Sequence, residues 1–236
     1  MTELKKIDTL LLDLDGTLLH FDLDDFIQGY LEMIREQFSR YSWTDQVAQW
    51  IMEGTGLMLN NNGLQTNRDV FLQYFHRMSG LDDREIWQNF MDFYHNKFDR
   101  LQEISDRDHN AIQFIEKAVT RGYKLVLATQ PVFPEIAIRK RLSWAGLAHI
   151  PFALITDIEK MQASKPSLKY FNQVLDLIQT DAGQCIMVGN DPVADMGAEK
   201  AGIPTFFLVT EKDQAIPAEA HHAGQFSDLE KLLGWS

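Results

Sequence analysis

Two aspartates stand two residues apart in Leu11-Leu12-Asp13-Leu14-Asp15-Gly16-Thr17-Leu18, directly after a run of leucines. In extended backbone alternate side chains point the same way, so Asp13 and Asp15 can converge on one site. Gly16 permits a tight exit from the strand. Carboxylates at the end of an apolar strand are costly without compensation, which favours a metal or catalytic role. The plainer alternative is a turn whose aspartates satisfy local amides. A calcium loop of the helix–loop–helix type is excluded, because glycine falls at the fourth position rather than the sixth and a strand precedes it.

Three further segments carry the same kind of signal. Leu125-Val126-Leu127-Ala128-Thr129-Gln130-Pro131 ends a strand in a hydroxyl and an amide, groups suited to holding an anionic oxygen. Ser164-Lys165-Pro166 places a lysine just before a helix opening at Ser167, where its charge can neutralise a phosphate. Ile186-Met187-Val188-Gly189-Asn190-Asp191-Pro192-Val193-Ala194-Asp195 again delivers glycine and carboxylates from a buried strand. Asp191 and Asp195 are oxygen groups suited to a hard cation such as Mg²⁺. Asp195 equally suits the N-terminal cap of the next helix.

The elements that must position these residues are legible as continuous apolar runs, the mark of strands buried on both faces. They are Thr9 to Leu12, Lys124 to Ala128, Phe152 to Ile155, Cys185 to Val188 and Thr205 to Val209. Helical patterns lie between them at Asp108 to Arg121, Pro134 to Trp144, Ser167 to Ile178, Ala194 to Ala201 and Ser227 to Leu233. Such alternation predicts an α/β fold, a three-layer Rossmann-like core around a parallel sheet with right-handed crossovers. From Asp22 to Glu103 no strand-like run occurs. Helical faces run there from Asp25 to Phe38, Asp69 to Met78 and Asp83 to Phe98, and their aromatics read as packing core. Asn60 to Gly63 reads as a loop, and Gly54-Thr55-Gly56 as a helix break or a flexible loop. The expected organisation is therefore a core of residues 1–21 and 104–236 with an all-helical domain, 22–103, inserted over the sheet's carboxyl edge, where ligands bind in open α/β sheets.

The four segments, in this order, resemble the haloacid dehalogenase-like superfamily of hydrolases. That family shows Asp-x-Asp-Gly-Thr, a Thr or Ser ending the next strand, a Lys before a helix and a late Gly-Asp acidic motif, and the helical insert is similar to its cap domain. The resemblance covers the whole chain. It implies an Mg²⁺-dependent phosphatase acting on a small phosphorylated metabolite. Asp13 would be the nucleophile that forms an aspartyl-phosphate. Asp15 would protonate the leaving oxygen and then activate water. Mg²⁺ would be held by Asp13, the Asp15 carbonyl and the late acidic motif, and phosphate by Thr129, Gln130, Lys165 and Gly16. Two departures stand out: Gln130 replaces the usual Asn, and Gly189-Asn190-Asp191 replaces Gly-Asp. Register set by glycine assigns the metal position to Asn190. Register set by the carboxylate assigns it to Asp191, which is preferred because a carboxylate suits Mg²⁺ better, with Asp195 behind it. A phosphomutase, or a binding module with weak or lost catalysis, is the alternative on the same residues.

Composition bounds the partners. Thirty-four acidic and 22 basic side chains among 236 residues give a formal net charge of −12. That argues against tracking a nucleic acid or docking on an anionic membrane. A single cysteine, Cys185, forms no internal disulfide, and no signal peptide or transmembrane stretch is evident, so a soluble, cytoplasmic monomer or homodimer is expected. His221-His222 lacks partners at metal-ligand spacing and reads as a solvated pair.

Overall fold

The computed structural model describes residues 7–210 and 214–235. The first leucine run forms β1 (Thr9–Leu12), followed by the short β2 (Leu19–His20). Four helices then run without interruption by a strand: α1 (Leu23–Gln37), α2 (Val47–Leu59), α3 (Asn67–Ser79) and α4 (Asp83–Asn96). The chain returns through β3 (Asp106–Arg107), which pairs antiparallel with β2, so a two-stranded ribbon frames both ends of the helical segment. The rest alternates: α5 (His109–Thr120), β4 (Lys124–Leu127), α6 (Glu135–Trp144), β5 (Leu154–Ile155), α7 (Leu168–Ile178), β6 (Cys185–Gly189), β7 (Thr205–Leu208), β8 (His222–Gly224) and α8 (Phe226–Leu232).

The large sheet is parallel throughout, in the order β5-β4-β1-β6-β7-β8. β1 sits at its centre, its leucines fully buried between helical layers on both faces. This is the Rossmann-like α/β core that the apolar runs predict. Leu12 is level with Leu127 on one neighbour and Val188 on the other. Register therefore brings the residues after β1, β4 and β6 to one line at the carboxyl edge.

Some expectations shift. Gly54-Thr55-Gly56 is neither a break nor a loop but lies inside α2, where Val47, Trp50, Ile51 and Met58 bury one face and Gly54 packs on Phe71. Burial outweighs the roughly 1 kcal/mol helix penalty of each glycine. Asp195 does not cap the turn that follows it; its carboxylate is used elsewhere. The stretch Met196–Ala201 is a 3₁₀ helix. His222 belongs to β8, and His221 Nδ1 lies 2.8 Å from the Thr205 hydroxyl, so the pair is tied to the sheet's edge.

The helical segment is tied to the core at one point above all. Asn67, fully buried at the start of α3, donates its side-chain amide to the Pro131 carbonyl at 2.8 Å and to Ser164 Oγ at 3.1 Å. The backbone amides of Asn67 and Arg68 donate to the carbonyls of Met161 and Ile158. One side chain thus joins the loop after β4 to the loop carrying Lys165. Replacing it, Asn67→Ala, strands buried partners and is expected to cost about 1–3 kcal/mol of stability. Urea unfolding is the check: the midpoint falls while the slope is unchanged, and an unmoved midpoint contradicts the role.

Candidate active site

Asp13 follows β1 directly and is held in line by its amide, which donates to the Val188 carbonyl at 3.0 Å. Its side chain is 9% exposed. Lys165 Nζ donates to Asp13 Oδ1 at 2.6 Å and to Asp195 Oδ1 at 2.5 Å, and all three side chains are buried. Two carboxylates share one ammonium. Burial opposes the charge on Lys165, but Asp13 and Asp195 outweigh it and hold the ammonium protonated. Burial pushes Asp13 up to about 7, with Asp195 and Asp15 adding to the rise and Lys165 opposing it. Asp195 is raised for the same leading reason, burial.

Backbone geometry places the third member. Asp195 Oδ2 accepts the Asp191 amide at 3.0 Å, folding the segment after β6 back on itself. A Cβ at Gly189 would come within 2.0 Å of that oxygen, so glycine is required by close approach. Gln130, the apparent substitute for Asn, binds the backbone of Lys165 from both sides: its Oε1 accepts the Lys165 amide at 2.9 Å and its Nε2 donates to the Lys165 carbonyl at 3.1 Å. Its extra methylene is what lets the amide span from the β4 loop to that backbone. Thr129 is buried beside it, its carbonyl accepting from Thr156 Oγ1 and the Tyr170 hydroxyl, each at 2.9 Å.

Asp15 faces the same edge and is paired with a residue that the sequence did not single out. Arg141 of α6, fully buried, donates through Nη1 to Asp15 Oδ2, and its guanidinium carbon lies 4.6 Å from the centre of the Phe133 ring. Arg141 Nε and Nη2 and Asp15 Oδ1 are buried without hydrogen-bond partners. No local pattern marks Arg141; an arginine on a short helix reads as surface, and its partner lies 126 positions away.

Gly16 has φ of +79°, and a Cβ there would meet Asn190 Nδ2 at 2.4 Å. Its amide is taken by the Leu19 carbonyl at 2.8 Å. Glycine thus admits the Asn190 side chain to the edge, where Asn190 Oδ1 accepts from Thr17 Oγ1 at 3.1 Å. Asp191 is exposed, and its Oδ1 accepts the amides of Val193 and Ala194 at 2.8 and 2.7 Å. Among the described residues no three Asp, Glu, His or Cys side chains gather into a cation cage. Oxygen donors lining the edge include one buried carboxylate, Asp13, and a side-chain amide, Asn190. Mg²⁺ accepts such a set, since it binds through one or two carboxylates and completes its shell with water and phosphate oxygens.

Above this edge a cavity of about 570 Å³ opens between the helical segment and the sheet. Asp13, Asp15, Thr129, Gln130, Lys165, Asn190 and Asp191 line its polar end, and side chains of α1 to α4 with Phe133 of the loop after β4 line much of the rest. Among the described residues no helix is long and apolar enough to cross a membrane.

Residues 7–220 match the family model described as haloacid dehalogenase-like hydrolase. Pyrophosphatase PpaX of Bacillus mycoides is 22% identical over 200 residues, spanning 85% of this chain and 82% of its own. Among solved structures, a phosphatase of this family from Thermococcus onnurineus superposes with a TM-score of 0.61 at 20% identity, covering 97% of this chain and 98% of its own. The putative hydrolase YfnB of Bacillus subtilis, solved bound to magnesium, gives 0.57 at 23% identity over 97% and 99%. Dehalogenases share the fold too. With most of its length matched by the family model, the chain belongs to the haloacid dehalogenase-like hydrolases.

Proposed function

We propose that the protein is a phosphomonoesterase in which Asp13 attacks phosphorus. The observation that carries this reading is the buried Asp13–Lys165–Asp195 arrangement at the centre of the sheet's carboxyl edge, with Asp15 beside it. In the first step an Asp13 carboxylate oxygen bonds to phosphorus as the bond to the ester oxygen breaks, and Asp15 gives that oxygen its proton. In the second step Asp15 takes a proton from water as the water oxygen attacks phosphorus and releases Asp13. Lys165 and the Thr129 hydroxyl neutralise and orient the transferring group, the main task in phosphoryl transfer. Gln130 acts through its grip on the Lys165 backbone, and Gly16 by admitting Asn190.

Mg²⁺ fits the oxygen donors of this edge, with Asp13, the Asp15 carbonyl and Asn190 as the residues that would hold it. Asn190 is favoured over Asp191, whose carboxylate already serves two amides. Bound there, the cation would neutralise phosphate charge. Water is favoured as the final acceptor over a sugar phosphate: a mutase must hold a second phosphoryl group, and among the described residues Lys165 is the only cation lining the cavity.

Two outcomes follow from Asp13. Hydrolysis of p-nitrophenyl phosphate with Mg²⁺ falls by on the order of a thousandfold or more in Asp13→Asn, and EDTA suppresses it in the unaltered protein. Undiminished turnover in the variant contradicts the nucleophile. Stability moves the other way. Because the native Asp13 carboxyl titrates near 7 rather than at its usual 3.8, the native state holds a proton that the unfolded chain has lost between those values. Stability from this group falls as pH rises through that window, and the full cost of the buried carboxylate is present above it. In EDTA, Asp13→Asn therefore melts higher than the unaltered protein at pH 8, and the gap closes toward pH 4. A gap that is constant with pH contradicts the burial argument.

A further inference from the structure

We infer that the ester this site accepts carries an uncharged, predominantly apolar leaving group, an alkyl or aryl body of roughly hexyl to naphthyl size. This rests on the phosphatase reading above and narrows it. The cavity has a polar end and an apolar body, and the two are lined by different parts of the chain. Asp13, Asp15, Thr129 and Lys165 mark where the phosphoryl group reacts; away from them the walls are Phe26, Tyr30, Met52, Trp87, Phe90 and Phe133. At about 570 Å³ the space is of the size that encloses a small organic molecule rather than a bare ion.

Charge sharpens the inference. Among the described residues the only cation lining the cavity is Lys165, and both Asp13 and Asp195 already hold it. A carboxylate or second phosphoryl group on the leaving side would lie among aromatic rings with no cationic side chain to meet it, and an unpaired buried charge is strongly unfavourable. Apolar side chains also mark the way in. Leu23 and Met52 line the cavity while 60% and 49% exposed, which is unusual cover for the approach of a hydrophilic metabolite. Polar groups in the walls are few: Thr55, and the hydroxyls of Tyr30 and Tyr94, which lie 2.8 Å apart. Only one proton lies between them, so the other hydroxyl proton is available to a neutral acceptor. Burial raises both phenols, Tyr30 to about 12, so the pair adds no charge.

The test is kcat/KM on phosphate monoesters of ethanol, butanol and hexanol, alongside phosphoglycolate and inorganic pyrophosphate. In the alkyl series the leaving alcohols have nearly equal basicity, so a rising rate reports contact with the walls. Full burial yields roughly fourfold per methylene; the expected rise from ethyl to hexyl is at least tenfold, with hexyl phosphate preferred over both charged substrates. Met52 is half exposed, so Met52→Lys leaves the fold intact while adding a cation at the entrance, and it should lower the preference for hexyl phosphate over phosphoglycolate. A flat alkyl series, or preference for either charged substrate, overturns the inference while leaving the phosphatase reading standing. Failure on every ester, p-nitrophenyl phosphate included, overturns both.

Discussion

The active edge depends on one buried ammonium. Lys165 holds Asp13 and Asp195 together where two carboxylates would otherwise repel each other in a poorly hydrated space, and neither is stable there without it. Removing the lysine would expose the full cost of both carboxylates. Much of the nearby structure serves this contact: Gln130 fixes the lysine's backbone, Gly189 makes room for Asp195, and the Asp191 amide fixes the far oxygen of that carboxylate. The arrangement leaves one negative charge in excess, located on the residue proposed to attack phosphorus. Burial first, and the neighbouring carboxylates after it, lift the Asp13 carboxyl toward neutrality, and a bound cation would relieve the excess.

Asp15 is compensated separately. From the sequence, Lys165 and a bound Mg²⁺ are the only positive charges expected among the aspartates of this edge. The structure supplies Arg141 as a further cation and turns Asp191 outward onto two amides, so the local balance is met by different groups. Arg141 also links chemistry to packing, since its guanidinium lies over Phe133, a wall of the cavity. The helical segment closes the same cavity from above, and Asn67 joins it to both loops that flank the reacting groups. Few polar groups line this cavity outside the reacting end.

How much of this could be read from the chain depends on whether the cause was local. The leucine run into Asp13 is local, and so are the apolar strands; each carries its burial in its own composition. The order of Asp13, Thr129, Lys165 and the Asn190–Asp195 segment was legible because parallel strands bring their carboxyl ends to one line. Arg141 was not, because its significance is a contact across 126 positions with nothing periodic to announce it. Nor was α2, whose two glycines argue against a helix until Phe71 is seen packed on one of them. Gln130 shows the intermediate case: the departure from Asn was visible, but its reason, a span to the Lys165 backbone, exists only once the two loops meet.

The central claim is that Asp13 becomes covalently bound to phosphorus. It is tested most directly by quenching turnover of a ³²P-labelled phosphomonoester in acid and mapping the label by proteolysis and mass spectrometry. The account predicts an acid-stable, hydroxylamine-sensitive acyl phosphate on the peptide containing Asp13, absent from Asp13→Asn. Steady turnover with no protein-bound phosphate, or with the label on another residue, would contradict it.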